Sequence, residues 1–136
     1  MLNKSFTLIE TITAIFILTT GILAISSLIS YLISISSISS QRLIAAYLAQ
    51  EGIEIVRNLR DTNLLSGRNW DYGLNNGDWQ VDYNDNTLSP YTGAFLNLET
   101  NGFYGYGFGT QTNFRRKINL QKDENVLKIL VEVSWQ

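Results

Sequence analysis

Read by its polar and apolar positions, the chain is two unlike pieces. Residues 11–41 form 31 consecutive positions without a charge, and between Ser5 and Gln41 the only charged residue is Glu10. A helix crosses a hydrocarbon core with about 20 apolar residues. Residues 6–35 therefore predict a membrane span with length to spare. No Pro interrupts it, and Gly21 is its one interior glycine. A buried core helix is the alternative, but so short a chain has nothing to cover it. A cleaved secretory signal has an apolar region of only about 7–15 residues, and this run is longer. Ser27, Ser30, Ser34 and Ser37 follow spacings of a helical stripe. They either admit close helix packing or merely soften the outer end of the span.

Beyond the span the pattern turns amphipathic. Ile44, Ala45, Leu48, Ala49, Gly52, Ile55, Val56 and Leu59 share one helical face, while Gln50, Glu54, Arg57 and Asp61 share the opposite one. Glu54–Arg57 and Arg57–Asp61 have the spacing of helical ion pairs. Turn-forming residues end the helix near 61–63. Residues 6–60 would span roughly 80 Å if straight.

After Leu65 the periodicity fades into Gly, Asn, Asp, Tyr and Trp. Alternation at 79–83 predicts a half-buried strand flanked by turns. A short strand is expected at 95–98. The aromatic–glycine segment 103–109 reads either as a loop or as a strand. Residues 114–120 alternate again, with Arg116 in phase with Ile118 and Leu120. Residues 126–135 form the strongest strand pattern, with Leu127, Ile129, Val131, Val133 and Trp135 on one face. Residues 121–125 make a polar turn between the two. A sheet with one apolar face needs a cover, and the face of 44–59 is the helix available. The predicted class is α+β: one long N-terminal helix whose second half packs on a small antiparallel sheet.

Composition narrows the chemistry. The 136 residues contain no Cys and no His, which removes disulfides, thiolate nucleophiles, Cys/His zinc sites and His-based acid–base catalysis. A net charge of −2 and a pI near 5.0 argue against a nucleic-acid partner. A nucleophilic Ser would need a Lys as its base, and the lysines fall before the span or in the C-terminal hairpin. No catalytic residue is therefore assigned. Asp82, Asn84 and Asn86 start like a calcium loop, but Thr87 and Gly93 stand where that loop needs Gly and Glu. A turn-rich loop is the better reading, and no metal or cofactor is expected. Aromatics at 103–108 are either core or a binding surface. Glu10 is the informative residue, because an ionisable group in a membrane span is a functional candidate. Its alternative is a carboxylate that snorkels to the lipid–water boundary.

The segment Ser5-Phe6-Thr7-Leu8-Ile9-Glu10, followed by its uncharged run, resembles the processing site of type IV prepilins and pseudopilins. The resemblance implies a pilin-like fold with a leader at 1–5, a membrane and assembly half at 6–41 and a head at 42–136. It implies cleavage by a prepilin peptidase between Ser5 and Phe6, N-methylation of Phe6, and an assembly role for Glu10. The implied partners are like or related pilin subunits, a membrane assembly platform and lipid. The implied location is the cytoplasmic membrane, with an extracytoplasmic head and later a filament. Three features depart from the common pattern. The leader ends in Ser5 where Gly is usual, there is no Cys pair, and the apolar helix lacks Pro. The last two lean toward a minor pilin or pseudopilin. Lys4 and Arg42 flank the span almost symmetrically, so charge says little about orientation. The competing expectation is a single-span anchored binding or adhesion protein that does not polymerise.

Overall fold

The computed structural model describes Ser5 and residues 7–136. The chain is α+β. Helix α1 runs Leu8–Leu65, and its residues 8–40 are exposed throughout. It is long and apolar enough to cross a membrane and lies near the N-terminus. Thr13, Thr19, Thr20 and Ser30 turn their hydroxyls back onto carbonyls three or four residues earlier. These polar groups are thereby satisfied within the helix, as a lipid-facing segment requires. The chain divides into two compact units between Gln41 and Arg42.

In the second unit, α1 is joined by seven strands. They are β1 Gly77–Gln80, β2 Ser89–Pro90, β3 Asn97–Leu98, β4 Tyr104–Gly105, β5 Thr110–Gln111, β6 Phe114–Asp123 and β7 Val126–Trp135. One sheet has the order β2-β1-β6-β7 and a smaller one β4-β3-β5, and all pairings are antiparallel. The β6–β7 ladder pairs ten residues on each strand, from Phe114 with Trp135 to Asp123 with Val126. Their turn is tighter than the sequence pattern predicts. Gln121–Asp123 remain in the strand, and Glu124 and Asn125 alone make the reversal, Glu124 with a φ of 45°. That left-handed backbone is what a two-residue hairpin demands of a central residue.

The alternation in β6 and β7 is realised as burial. Phe114, Arg116, Ile118 and Leu120 are buried, while Leu127, Ile129, Val131, Val133 and Trp135 are half-buried on the same side. The second half of α1 covers this side. Two apolar clusters result. Ile55 and Val56 pack with Leu74, Val81, Ile118 and Leu120, and Leu127, Ile129 and Val131 border them. Ala45 and Leu48 pack with Leu96 and Phe114, bordered by Tyr104, Tyr106 and Trp135.

The helix outlasts its expected end at 61–63. Asn63 is buried, and its amide donates to the carbonyls of Trp70 at 3.2 Å and Tyr72 at 2.8 Å. It thus behaves as an internal tie and not as a turn residue. The end falls at Gly67, whose φ is 69°. The Gly67 N–H donates to Leu64 O and the Arg68 N–H to Asn63 O, a Schellman closure that satisfies orphan carbonyls. Of the two expected helical ion pairs, Glu54–Arg57 forms at 3.6 Å. Asp61 pairs with its neighbour Arg60 at 2.7 Å and not with Arg57. The strand expected at 79–83 stops at Gln80, with the buried Val81 just beyond it. Segment 103–109 divides its roles: Tyr104 and Tyr106 join the core, Phe103 stacks on Tyr83 at 4.7 Å, and Phe108 is fully exposed.

Candidate assembly site

Ser5, Thr7 and Glu10 lie at or just before the start of α1, and all three are exposed. Phe6, expected to be cut before and methylated, lies outside the described residues, as do residues 1–4 of the expected leader. Thr7 caps the helix. Its N–H and its hydroxyl donate to Glu10 Oε2 at 2.8 and 2.7 Å, and the Glu10 N–H approaches Thr7 Oγ1 at 3.4 Å. This reciprocal arrangement is a capping box, and a carboxylate in the first turn also faces the positive end of the helix dipole. The spacing Thr-x-x-Glu at 7–10 is the sequence signal that identifies it. Glu10 therefore has an intramolecular task before any partner is considered. Both Thr7 bonds fall on one oxygen of the carboxylate, and the bond between residues 5 and 6 is not part of the motif.

Among the described residues, the rest of the apolar half is exposed. Leu8, Ile15, Phe16, Leu23, Ile29 and Ile33, for instance, are each more than half exposed. Ser27, Ser30, Ser34 and Ser37 are exposed too.

The head is locked by a residue that sequence reasoning left without a role. Arg116 is fully buried between α1 and the sheet. It pairs with Glu51 at 3.1 Å and donates to Val81 O at 2.8 Å and to Leu48 O at 3.4 Å. A buried guanidinium survives only when paired and hydrogen-bonded. This one ties the helix, β6 and the segment after β1 together. Its signal was a charge in phase with Ile118 and Leu120. Gly52 makes the approach possible: a Cβ there would stand 3.0 Å from Val131 Cγ1 and 3.3 Å from Arg116 Cδ.

Residues 82–86 form a self-closed loop. The Asp82 N–H donates to Asp85 Oδ2, and the Asp82 carboxylate accepts from the N–H groups of Tyr83 and Tyr106. The carboxylate is thus occupied in joining two loops. Among the described residues no group of three or more acidic side chains could hold a metal ion. Three titrating groups are displaced outside the apolar half. Bonding to Lys122 holds Asp71 below the usual carboxylate range. Bonding to Glu132, together with its charge, raises Lys117. Burial raises the Tyr106 phenol, whose hydroxyl donates to Arg116 O at 3.1 Å. These are structural contacts, and none of them lines up a nucleophile with a base. No family model, curated protein or solved structure matches the chain.

Proposed function

We propose that this chain is a structural subunit of a type IV pilin-like filament, a minor pilin or pseudopilin, stored in the membrane and assembled through the first half of α1. The observation that carries the reading is the exposed apolar stretch 8–40 with one carboxylate, Glu10, in its first turn. A surface of that kind needs either lipid or other helices of its own type. The sequence Ser5-Phe6-Thr7-Leu8-Ile9-Glu10 supplies the resemblance to a prepilin cleavage site. Cleavage before Phe6 would leave the Thr7–Glu10 cap intact, since the Thr7 amide is retained.

In the stored subunit, Glu10 stands near interfacial water. In a packed bundle that water is gone, and an unpaired carboxylate would cost several kcal/mol. The methylated amine of Phe6 on a like subunit is the complementary charge. At about 4 Å and an effective dielectric near 20, the pair attracts by about 4 kcal/mol. That offsets desolvation and favours one axial stagger, so the pair acts as a register device. The cap already holds one oxygen of Glu10, which fixes the direction in which the other is offered.

Mass spectrometry of the native N-terminus tests the reading. A chain beginning at methylated Phe6 supports it. An intact Met1 would favour the non-polymerising anchored protein. Ser5→Gly should be cleaved at least as fast as the native chain and Ser5→Leu hardly at all. Equal cleavage of all three would remove the resemblance at this bond. Glu10→Gln should enter the membrane and be processed, yet be depleted from sheared filaments. Equal recovery in filaments would return Glu10 to capping alone.

A further inference from the structure

The turn-rich segments on either side of β1 enclose a cavity of about 500 Å³ against the end of α1. That lies within the roughly 300–1,000 Å³ typical of small-molecule sites. Its floor is apolar: buried Leu74 with half-buried Leu59 and Leu88. Trp79 forms a wall, and its ring is fixed. The indole N–H donates to Asn75 O at 2.9 Å, and the ring lies along Gly77, where a Cβ would stand 3.6 Å from Trp79 Nε1.

The polar groups of the cavity are unspent. Asn63, in its lining, is only 7% exposed, and its amide N–H groups go to the carbonyls of Trp70 and Tyr72. Its Oδ1 receives no donor from the described residues, yet it is not sealed from solvent. It therefore offers an unused acceptor to the cavity. The side chains of Asn75, Asn86 and Thr87 are exposed at the rim and bond to no described residue. Arg68 is the one cation of the lining, and no Asp or Glu accompanies it there. It makes no ion pair among the described residues and rests over the Tyr72 ring at 5.0 Å.

These features select a ligand. An apolar floor and a fixed indole suit a ring with a C–H face. Free amides and a hydroxyl suit ligand hydroxyls, which both donate and accept. An unpaired guanidinium suits a carboxylate, which it binds bidentately. A purely apolar ligand would desolvate Asn63 Oδ1 and Arg68 without pairing them, which costs free energy. A pyranose ring bearing one carboxylate satisfies all three. A smaller cavity of about 230 Å³ adjoins the first through Leu59 and Asn86. It offers Asn58, Thr62 and Asn84, and also Asp85, whose negative charge favours a neutral sugar there.

We infer that the cavity between α1 and β1 binds the end of an acidic glycan. The acidic sugar lies on Trp79 with its carboxylate on Arg68, and the neutral sugar next to it lies beside Asn58 and Asn84. Asn63, Asn75 and Asn86 take the hydroxyls of the acidic sugar. The site belongs wholly to the head. It depends neither on leader cleavage nor on Glu10, and so stands apart from the prepilin reading.

Calorimetric titration of the full chain in detergent micelles tests it. The probes are disaccharides in which a hexuronic or nonulosonic acid caps a neutral sugar, and the same disaccharides with the carboxylate reduced to an alcohol. Triglutamate, which has carboxylates but no sugar ring, is the third probe. The acidic disaccharides should bind saturably and triglutamate should not. Reducing the carboxylate should weaken binding about tenfold, as loss of a charge-assisted hydrogen bond does. Arg68→Gln should lower affinity for the acidic probes by the same factor and leave the melting of the head unchanged. Asn86→Ala should weaken acidic and reduced probes alike, by about threefold. Arg57→Gln, outside the cavity, should change nothing. Absence of saturable binding by every acidic disaccharide would overturn the inference. So would equal binding of the reduced forms, triglutamate binding as tightly as the sugars, or undiminished affinity in Arg68→Gln. Processed filaments whose subunits bind none of the sugars would overturn it while leaving the prepilin reading intact. Sugar binding by chains with an unprocessed Met1 would uphold it while that reading fails.

Discussion

The two halves of α1 share one backbone geometry and have opposite relations to their surroundings. Residues 8–40 carry a single charge, Glu10, and are exposed throughout. From Ala45 onward, apolar residues occupy one face, and Ala45, Leu48, Gly52, Ile55 and Val56 are buried against the sheets. The difference shows that helical state and burial are set by separate features. Both halves have helix-compatible sequences, but only the second has a polar face that leaves a defined stripe to be covered. Among the described residues the first half is left exposed, whereas the second is covered by the sheets.

Matched substitutions in the two halves provide the largest test. Leu48→Asp or Ile55→Asp places a charge in the helix–sheet core. It should cost at least several kcal/mol, against a whole-domain stability of about 5–15. Leu23→Asp should leave the melting of the head unchanged and instead weaken membrane insertion by about 2.5–3.5 kcal/mol. Thermal melting followed by near-ultraviolet circular dichroism, with membrane fractionation alongside, separates the two. Equal losses of melting temperature would end the distinction between the halves.

Next in size is the buried pair. Arg116→Ala should destabilise the head by about 3–5 kcal/mol, because Glu51 loses its partner. Arg116→Met combined with Glu51→Leu should recover most of that, since apolar groups of similar volume can replace a buried ion pair. Denaturant titration measures both. A double variant as unstable as Arg116→Ala would show that the hydrogen bonds to Leu48 O and Val81 O matter more than the charges.

The glycines sharpen the contrast further. Gly52→Ala meets Val131 at 3.0 Å and should cost about 1–3 kcal/mol through overpacking. Gly21→Ala meets nothing within 4 Å and should strengthen the helix by up to about 1 kcal/mol. Opposite signs in melting and helicity measurements are the expected outcome.

The smallest effect concerns alkaline pH. Burial raises the Tyr106 phenol, so the fold favours its neutral form. Its contribution is complete below about pH 10, the usual tyrosine value, and is lost as pH rises through the higher folded value. Tyr106→Phe should cost about 1 kcal/mol near neutrality for the lost bond to Arg116 O. It should then decline less steeply than the native head above pH 10. Parallel alkaline limbs would remove the phenol from that dependence.

Much was legible from local pattern. The apolar run, the amphipathic face of 44–59 and the two C-terminal strands rest on periodicities of 3.6 and 2, which the sequence displays directly. The Thr7-x-x-Glu10 cap was missed, although its spacing is a local signal, because Glu10 was read only as an assembly residue or a snorkelling carboxylate. The aromatic–glycine segment was not legible. Whether Tyr104 faces a core and Phe108 faces water depends on where Leu96 and Phe114 stand, and no local rule carries that information.

What the sequence by itself determined is therefore what short-range chemistry determines: an uncharged stretch long enough to span lipid, a helix that becomes one-sided beyond it, and a strong terminal hairpin. What only the tertiary structure decided is which polar groups went inside. Arg116 reads as an ordinary alternating strand position until Glu51, Leu48 O and Val81 O converge on it from 65, 68 and 35 residues away along the chain. Asn63 reads as a helix terminator until the carbonyls of Trp70 and Tyr72 return to claim its amide. A buried polar group is tolerated only when partners are supplied. Those partners are brought by the fold, so their identities emerge only once the chain has closed on itself.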